Sequence, residues 1–226
     1  TIELDVGRAK TYDCYVDNSQ ASTSFPYDYY IYAGNSSLGK TRTFIKFDLP
    51  ALPDNCSVIQ NASIFFWQLS ADMGDGSNGY LTIHNVTKNW ANDRTVTWNA
   101  QPTFDSTVID YCQFKSGISA CYCFDITKSV KEWYEGSANY GLMLKSWDES
   151  KTKRAQLLSA ENYGAEAYPV IKVTYRNNKG LESYWSYSSY SNDTAGAAYI
   201  NDYTGNLVYE LPILSSVSEV MPLTLT

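Results

Sequence analysis

One histidine, five cysteines and 24 carboxylates are the groups in this 226-residue chain that could act on a substrate. His84 stands alone in an alternating segment, with no serine or cysteine elbow beside it, so a histidine-dependent triad lacks its partners. Two carboxylates could flank a glycosidic bond, but no spacing singles out a pair, and a solvated surface accounts for them. The cysteines at 14, 56, 112, 121 and 123 do not have zinc spacing: Cys121 and Cys123 would share one face of a strand with only His84 as an imidazole partner. No catalytic centre is expected.

Binding chemistry remains. Arg42 and Lys46 share one face of an alternating segment, and Lys145 and Arg154 lie on two later segments that would neighbour it in a β-sandwich. Converging, they would form a basic stripe suited to carboxylate-bearing polysaccharide, through Arg forks and Lys point charges. Trp67 and Trp147 are the less committed indoles, able to stack on the C–H face of a sugar, although core burial is preferred for Trp67. Trp90, Trp98 and Trp133 read as core residues whose N–H seeks an internal acceptor. The run Asp72-Met-Gly-Asp-Gly-Ser-Asn78 has oxygen ligands for a structural calcium ion but lacks EF-hand spacing, and it reads first as a turn. No cofactor is expected.

The elements that must position these groups are strands. Aromatic residues make up 15% of the chain and charged residues only 18%, a balance that favours pleated sheet. In Thr41–Leu49, Thr43, Ile45, Phe47 and Leu49 alternate with Arg42, Phe44, Lys46 and Asp48, the pattern of a half-buried strand. Ala62–Leu69 is apolar on both faces, as in a strand held between layers. Further strands are expected at Tyr80–Val86, Thr107–Phe114, Cys121–Asp125, Tyr140–Ser146, Arg154–Ala160 and Pro169–Tyr175. Between Asp125 and Gly136, Val130, Trp133 and Tyr134 recur at helical spacing, which predicts one short helix capped by Asp125 or Thr127.

A net charge of −7 sets a repulsive field against a phosphate backbone, so nucleic acid is not an expected partner. No apolar run is long enough to span a bilayer, so no membrane insertion is expected. After Tyr175 the composition turns polar and then rich in Ser, Tyr and Gly, which divides the chain into residues 1–176 and a β-rich extension, 177–226. That extension reads as a strand, a Gly-Asn turn and a second strand within 197–208.

The order of several short signatures resembles the DNRLRE domains: Asp13-Cys-Tyr-Val16, Arg42-Thr-Phe-Ile-Lys-Phe-Asp-Leu49, Val86-Thr-Lys-Asn-Trp90, Thr95-Val-Thr-Trp-Asn-Ala-Gln-Pro102, Phe124-Asp-Ile-Thr127 and Asn139-Tyr-Gly-Leu142. The resemblance covers residues 13–175. It implies an all-β antiparallel jelly roll of the carbohydrate-binding kind, with cell-surface or extracellular polysaccharide as partner. Relatives commonly carry a basic residue where this chain has Tyr168 before Pro169, which removes any ion pair made there. Residues 195–208 and 221–226 are similar to the lead-in of bacterial Rhs or YD-repeat proteins, which implies secretion or display at a bacterial cell surface, with the repeat region of the same polypeptide as neighbour. Under this reading the chain is a non-catalytic adhesion module; the rival is a structural spacer or plug for the repeat shell. A hairpin turning at Ser116-Gly117 would set Cys112 opposite Cys121, close enough for a disulfide after modest adjustment.

Overall fold

The structure, a computed structural model, describes residues 2–52, 57–74, 76, 78–90, 95–116, 119–177, 185–192 and 196–210. It falls into two units, Thr1–Ala51 with Ile59–Arg176, and Leu52–Val58 with Asn177–Thr226. The first carries β1 (Ile2–Asp5), β2 (Thr11–Asp17), β3 (Tyr30–Ser36), β4 (Gly39–Phe47), β5 (Ser57–Asp72), β6 (Gly79–Asn85), β7 (Asp110–Phe114), β8 (Ala120–Asp125), α1 (Thr127–Tyr134), β9 (Leu142–Ser146), β10 (Lys153–Leu158) and β11 (Val170–Asn177). The second is a meander of β12 (Tyr187–Asn192), β13 (Gly196–Asn201) and β14 (Leu207–Glu210). No helix among the described residues is long and apolar enough to cross a membrane.

The first unit is all-β and antiparallel, a sandwich of the jelly-roll kind. Its ladder runs β1-β11-β5-β10-β3-β4-β9-β6-β7, with β2 on β4 and β8 on β5. Strand β3 carries the ladder from one layer to the other, since it pairs with β4 at Gly34–Ser36 and with β10 along Tyr30–Asn35. Gly34 makes that crossing at φ +126°, where a Cβ would run into the Lys153 carbonyl. Between the layers lie Ile45, Leu81, Ile83, Leu142 and Leu144 from one sheet and Ile64, Phe66, Phe124, Leu157 and Ile171 from the other, all fully buried. Phe66 and Phe124 meet edge to face at 6.0 Å.

Helix α1 forms as its spacing predicts. Asp125 Oδ1 accepts the Thr127 N–H at 2.8 Å and its hydroxyl at 2.6 Å, and Gly136 turns the chain away at φ +104°. Val130 is fully buried, but Trp133, expected in the core, is only half-buried. The 3.6-residue period places it on the flank of the helix, beside β4.

Two strands exchange the roles their patterns predict. On β4 the second face is covered as well: Phe44 is fully buried with Cys14, Val16, Val86, Trp90, Val96 and Met143, and Trp98, Phe104 and Tyr140 pack against them. On β5 the outward Phe65 and Trp67 are only half-buried, and Leu69 is 48% exposed. The expected hairpin ladder is also absent, because β7 pairs with β6 and β8 with β5. Cys112 lies opposite Leu81 and Cys121 opposite Trp67, and both are free thiols. The Asp125 N–H donates to Asp110 Oδ2 at 2.7 Å, and the thiol that bears on Cys112 is Cys123. Burial pushes the Cys112 thiol up to about 12, with Asp110 and Cys123 adding to it. Gly117 of the expected turn lies outside the described residues.

Tyr168 has its own use. Arg8 stacks over its ring at 4.4 Å and over Tyr163 at 5.2 Å, while donating to the carbonyls of Ala160, Asn162 and Ala165.

Candidate functional site

The outer face of the β4 layer gathers four of the six binding residues named from sequence, but in separate settings. Cys14, Phe44 and Met143 are directly opposed across β2, β4 and β9, which puts Arg42, Lys46 and Lys145 on that same face. Arg42 is held by protein groups. Its Nε and Nη2 donate to Glu149 Oε1 and Oε2, each at 2.8 Å, and Nη1 donates to Gln101 Oε1 at 3.0 Å. The guanidinium also lies 4.8 Å from the Trp98 ring and 5.5 Å from Phe104. A bidentate, largely desolvated pair of this kind is an anchor for the loop that carries Glu149. Burial would raise the Glu149 carboxyl, but the Arg42 hydrogen bonds and charge, with Lys145 and Lys40, hold it below its ordinary value.

Lys145 sits next to this pair. Burial lowers its ammonium pKa, Glu149 opposes that shift and Arg42 adds to it, and Nζ donates to the Ser146 carbonyl at 3.2 Å. Lys46, further along β4, has one long contact, 3.4 Å to Asn89 Oδ1.

Arg154 belongs elsewhere. Ala155 and Leu157 on β10 are fully buried, so Arg154 and Gln156 point out of the other layer, where the guanidinium lies 5.1 Å from the Tyr32 ring. Trp67 shares that layer, opposite Cys121 and 6.5 Å from Phe65. The structure therefore does not assemble Arg42, Lys46, Lys145 and Arg154 into one patch: the Gly34 crossing sends β10 to the opposite sheet. Of the residues considered for calcium, Asp75 and Ser77 lie outside the described residues, and Asp72 Oδ1 accepts the Gly74 N–H at 3.3 Å, as in a plain Asx turn. Among the described residues no group of three His, Cys, Asp or Glu could hold a metal ion.

Trp147, by contrast, gains company that the sequence did not reveal. It is 58% exposed and meets Tyr111, 57% exposed, edge to face at 5.7 Å; Tyr80, 42% exposed, lies 6.4 Å beyond. The Trp147 backbone N–H donates to the Tyr80 carbonyl at 2.9 Å, and Gln113 Nε2 donates to the Tyr80 hydroxyl at 3.2 Å. Thr82 lies opposite both Tyr111 and Lys145, so Lys145 shares the outer face with the aromatic group, one strand away from Tyr111. These three large rings are exposed side by side on the outer face, where β6, β7 and the end of β9 meet. The usable signal was parity: Tyr80 and Tyr111 occupy outward positions of strands whose alternate residues are apolar.

His84 is committed. Its Nδ1 contacts the carbonyls of Asp105 at 2.9 Å and Thr107 at 3.1 Å, and Nε2 contacts Thr82 Oγ1 at 3.0 Å, which fits a neutral ring donating from Nδ1. Burial lowers its pKa, against those backbone contacts.

Comparison with known proteins bears on this face. The chain is 31% identical over 150 residues to the tRNA3(Ser)-specific nuclease WapA of Bacillus spizizenii and, over the same length, to the tRNA nuclease WapA of Bacillus subtilis. Each match covers 65% of this chain and 6% of the relative, so the chain spans a small part of these proteins. The sequence profile of carbohydrate-binding module family 96 matches residues 5–175, which include every group of the exposed face, and the chain belongs to that family.

Proposed function

We propose that this chain is a non-catalytic polysaccharide-binding module of a larger secreted or surface-displayed bacterial protein, and that the glycan lies across Trp147, Tyr111 and Tyr80. The observation that carries the reading is the exposure of these three rings as a connected row, Trp147 to Tyr111 to Tyr80, on the face that also carries Lys145. Ring faces cover the C–H side of pyranoses, while the ammonium adds one point of attraction for a uronate or other acidic unit. With Arg42 neutralised by Glu149, acidic recognition rests on Lys145 rather than on a broad basic stripe. Transfer-RNA cleavage, which the relatives' names record, is assigned under this reading to parts of such proteins outside the matched 150 residues, in keeping with the charge of −7 and the committed His84.

Titration calorimetry of the whole chain with polygalacturonate and with neutral glucans tests this. Trp147→Ala and Tyr111→Ala are expected to weaken binding about tenfold each, and Lys145→Ala to remove the salt dependence. Unchanged affinity in both ring variants would overturn the site.

One observation favours a structural rival, a spacer for the adjoining repeat region of the same polypeptide. In the second unit Tyr190, Ala198 and Tyr209 are mutually opposed, as are Ser188, Ile200 and Leu207, giving one sheet face with four exposed large apolar residues.

A further inference from the structure

A second cleft, of about 510 Å³, lies where the end of β4 meets α1 and is lined by Lys46, Asp48, Pro50, Trp133, Tyr134 and Asn139. Its size falls within the range of small-ligand sites. Several walls are already committed: the Tyr134 hydroxyl donates to the Pro50 carbonyl at 2.8 Å, and Asn139 donates to the Phe47 carbonyl and accepts from the Gly141 N–H, each at 3.0 Å. Fixed walls make a preformed site. Three groups keep bonding capacity. Lys46 Nζ has its single long contact and no ion pair among the described residues, Asp48 Oδ2 accepts only the Tyr12 hydroxyl at 2.8 Å, and the half-buried Trp133 donates its indole N–H to no described atom.

We propose that this cleft is a second sugar subsite, distinct from the Trp147 face, that takes a neutral pyranose by its vicinal hydroxyls. Lys46 donates to one hydroxyl, Asp48 accepts from its neighbour, and Trp133 covers the ring. A cation and a carboxylate two residues apart cancel in net charge while supplying complementary donor and acceptor, the arrangement a diol satisfies and an anion does not. Binding here is therefore insensitive to salt, unlike binding beside Lys145. The inference rests on the carbohydrate-binding reading.

The six indole N–H signals of the whole chain, followed by NMR, separate the two sites. The probes are neutral tetrasaccharides of glucose, mannose, galactose and N-acetylglucosamine. At least one is expected to shift the Trp133 signal equally at low and high salt, and Lys46→Met and Asp48→Asn each to weaken that shift about tenfold, with the remaining spectrum unchanged as the check on folding. If a probe moves only the Trp147 signal, the second subsite is overturned and the carbohydrate reading stands. If no probe moves Trp133 or Trp147, the subsite is overturned, and the first site is judged by the polygalacturonate titration alone.

Discussion

The outer faces of β4 and β5 are each other's inverse. That of β4 sets Arg42, Lys46 and Asp48 around one apolar residue, yet that residue, Phe44, is fully buried there and Arg42 is clamped. That of β5 carries Phe65, Trp67 and Leu69, yet stays half open. What separates them is a loop, not a pattern. Residues 86–90 and 95–104 are held over β4 by the Val86–Phe104 bridge, the 2.8 Å bond from the Trp90 indole to the Tyr140 carbonyl, and the Arg42–Gln101 contact. A strand's alternation reports its inner face; a second cover depends on whether distant chain can be fastened there.

If this cover is structural, Phe44→Ala should destabilise the chain by roughly 3–5 kcal/mol in denaturant titration, as for a fully packed aromatic. Arg42→Ala should cost about 3 kcal/mol, because Glu149 is left desolvated and unpaired, whereas Arg154→Ala on the open layer should stay below about 1 kcal/mol. Equal costs for the two arginines would break the comparison. Trp67→Ala, half-buried, should cost only about 1–2 kcal/mol. The smallest effect concerns acid. His84 has a folded pKa below its unfolded value of about 6.5, so its contribution is present above that pH and lost as pH falls toward the folded pKa. Hydrogen-exchange protection of the cover over β4, corrected for the intrinsic rates, should therefore fall as pH drops below the unfolded value of about 6.5 in the native chain and not in His84→Asn, with the β5 amides indifferent.

The strands, the short helix and the sandwich were legible, since they follow from local spacing in segments such as Thr41–Leu49 and Asp125–Gly136. The layer to which each cation belongs was not. Arg42 and Arg154 look alike in sequence, but one finds a carboxylate 107 residues away and the other, among the described residues, a tyrosine ring. The Trp147 face was half legible: the indole stood out, but its tyrosines come from two other strands, and only pairing brings positions 80, 111 and 147 together. That β7 and β8 pair with β6 and β5 rather than with each other was likewise hidden, because both partners lie far away in the chain.

Strands β1 and β11 pair antiparallel, with Ile2 opposite Tyr175. The two ends of this unit therefore lie at one corner. Tension drawn through residues 2 and 175 pulls on the same end of that ladder. Its hydrogen bonds then open one after another, as in a zip, rather than all at once in shear. Such a load would peel β1 away first, while the Trp147 face, built on β6, β7 and the end of β9, lies at the other end of the strand order.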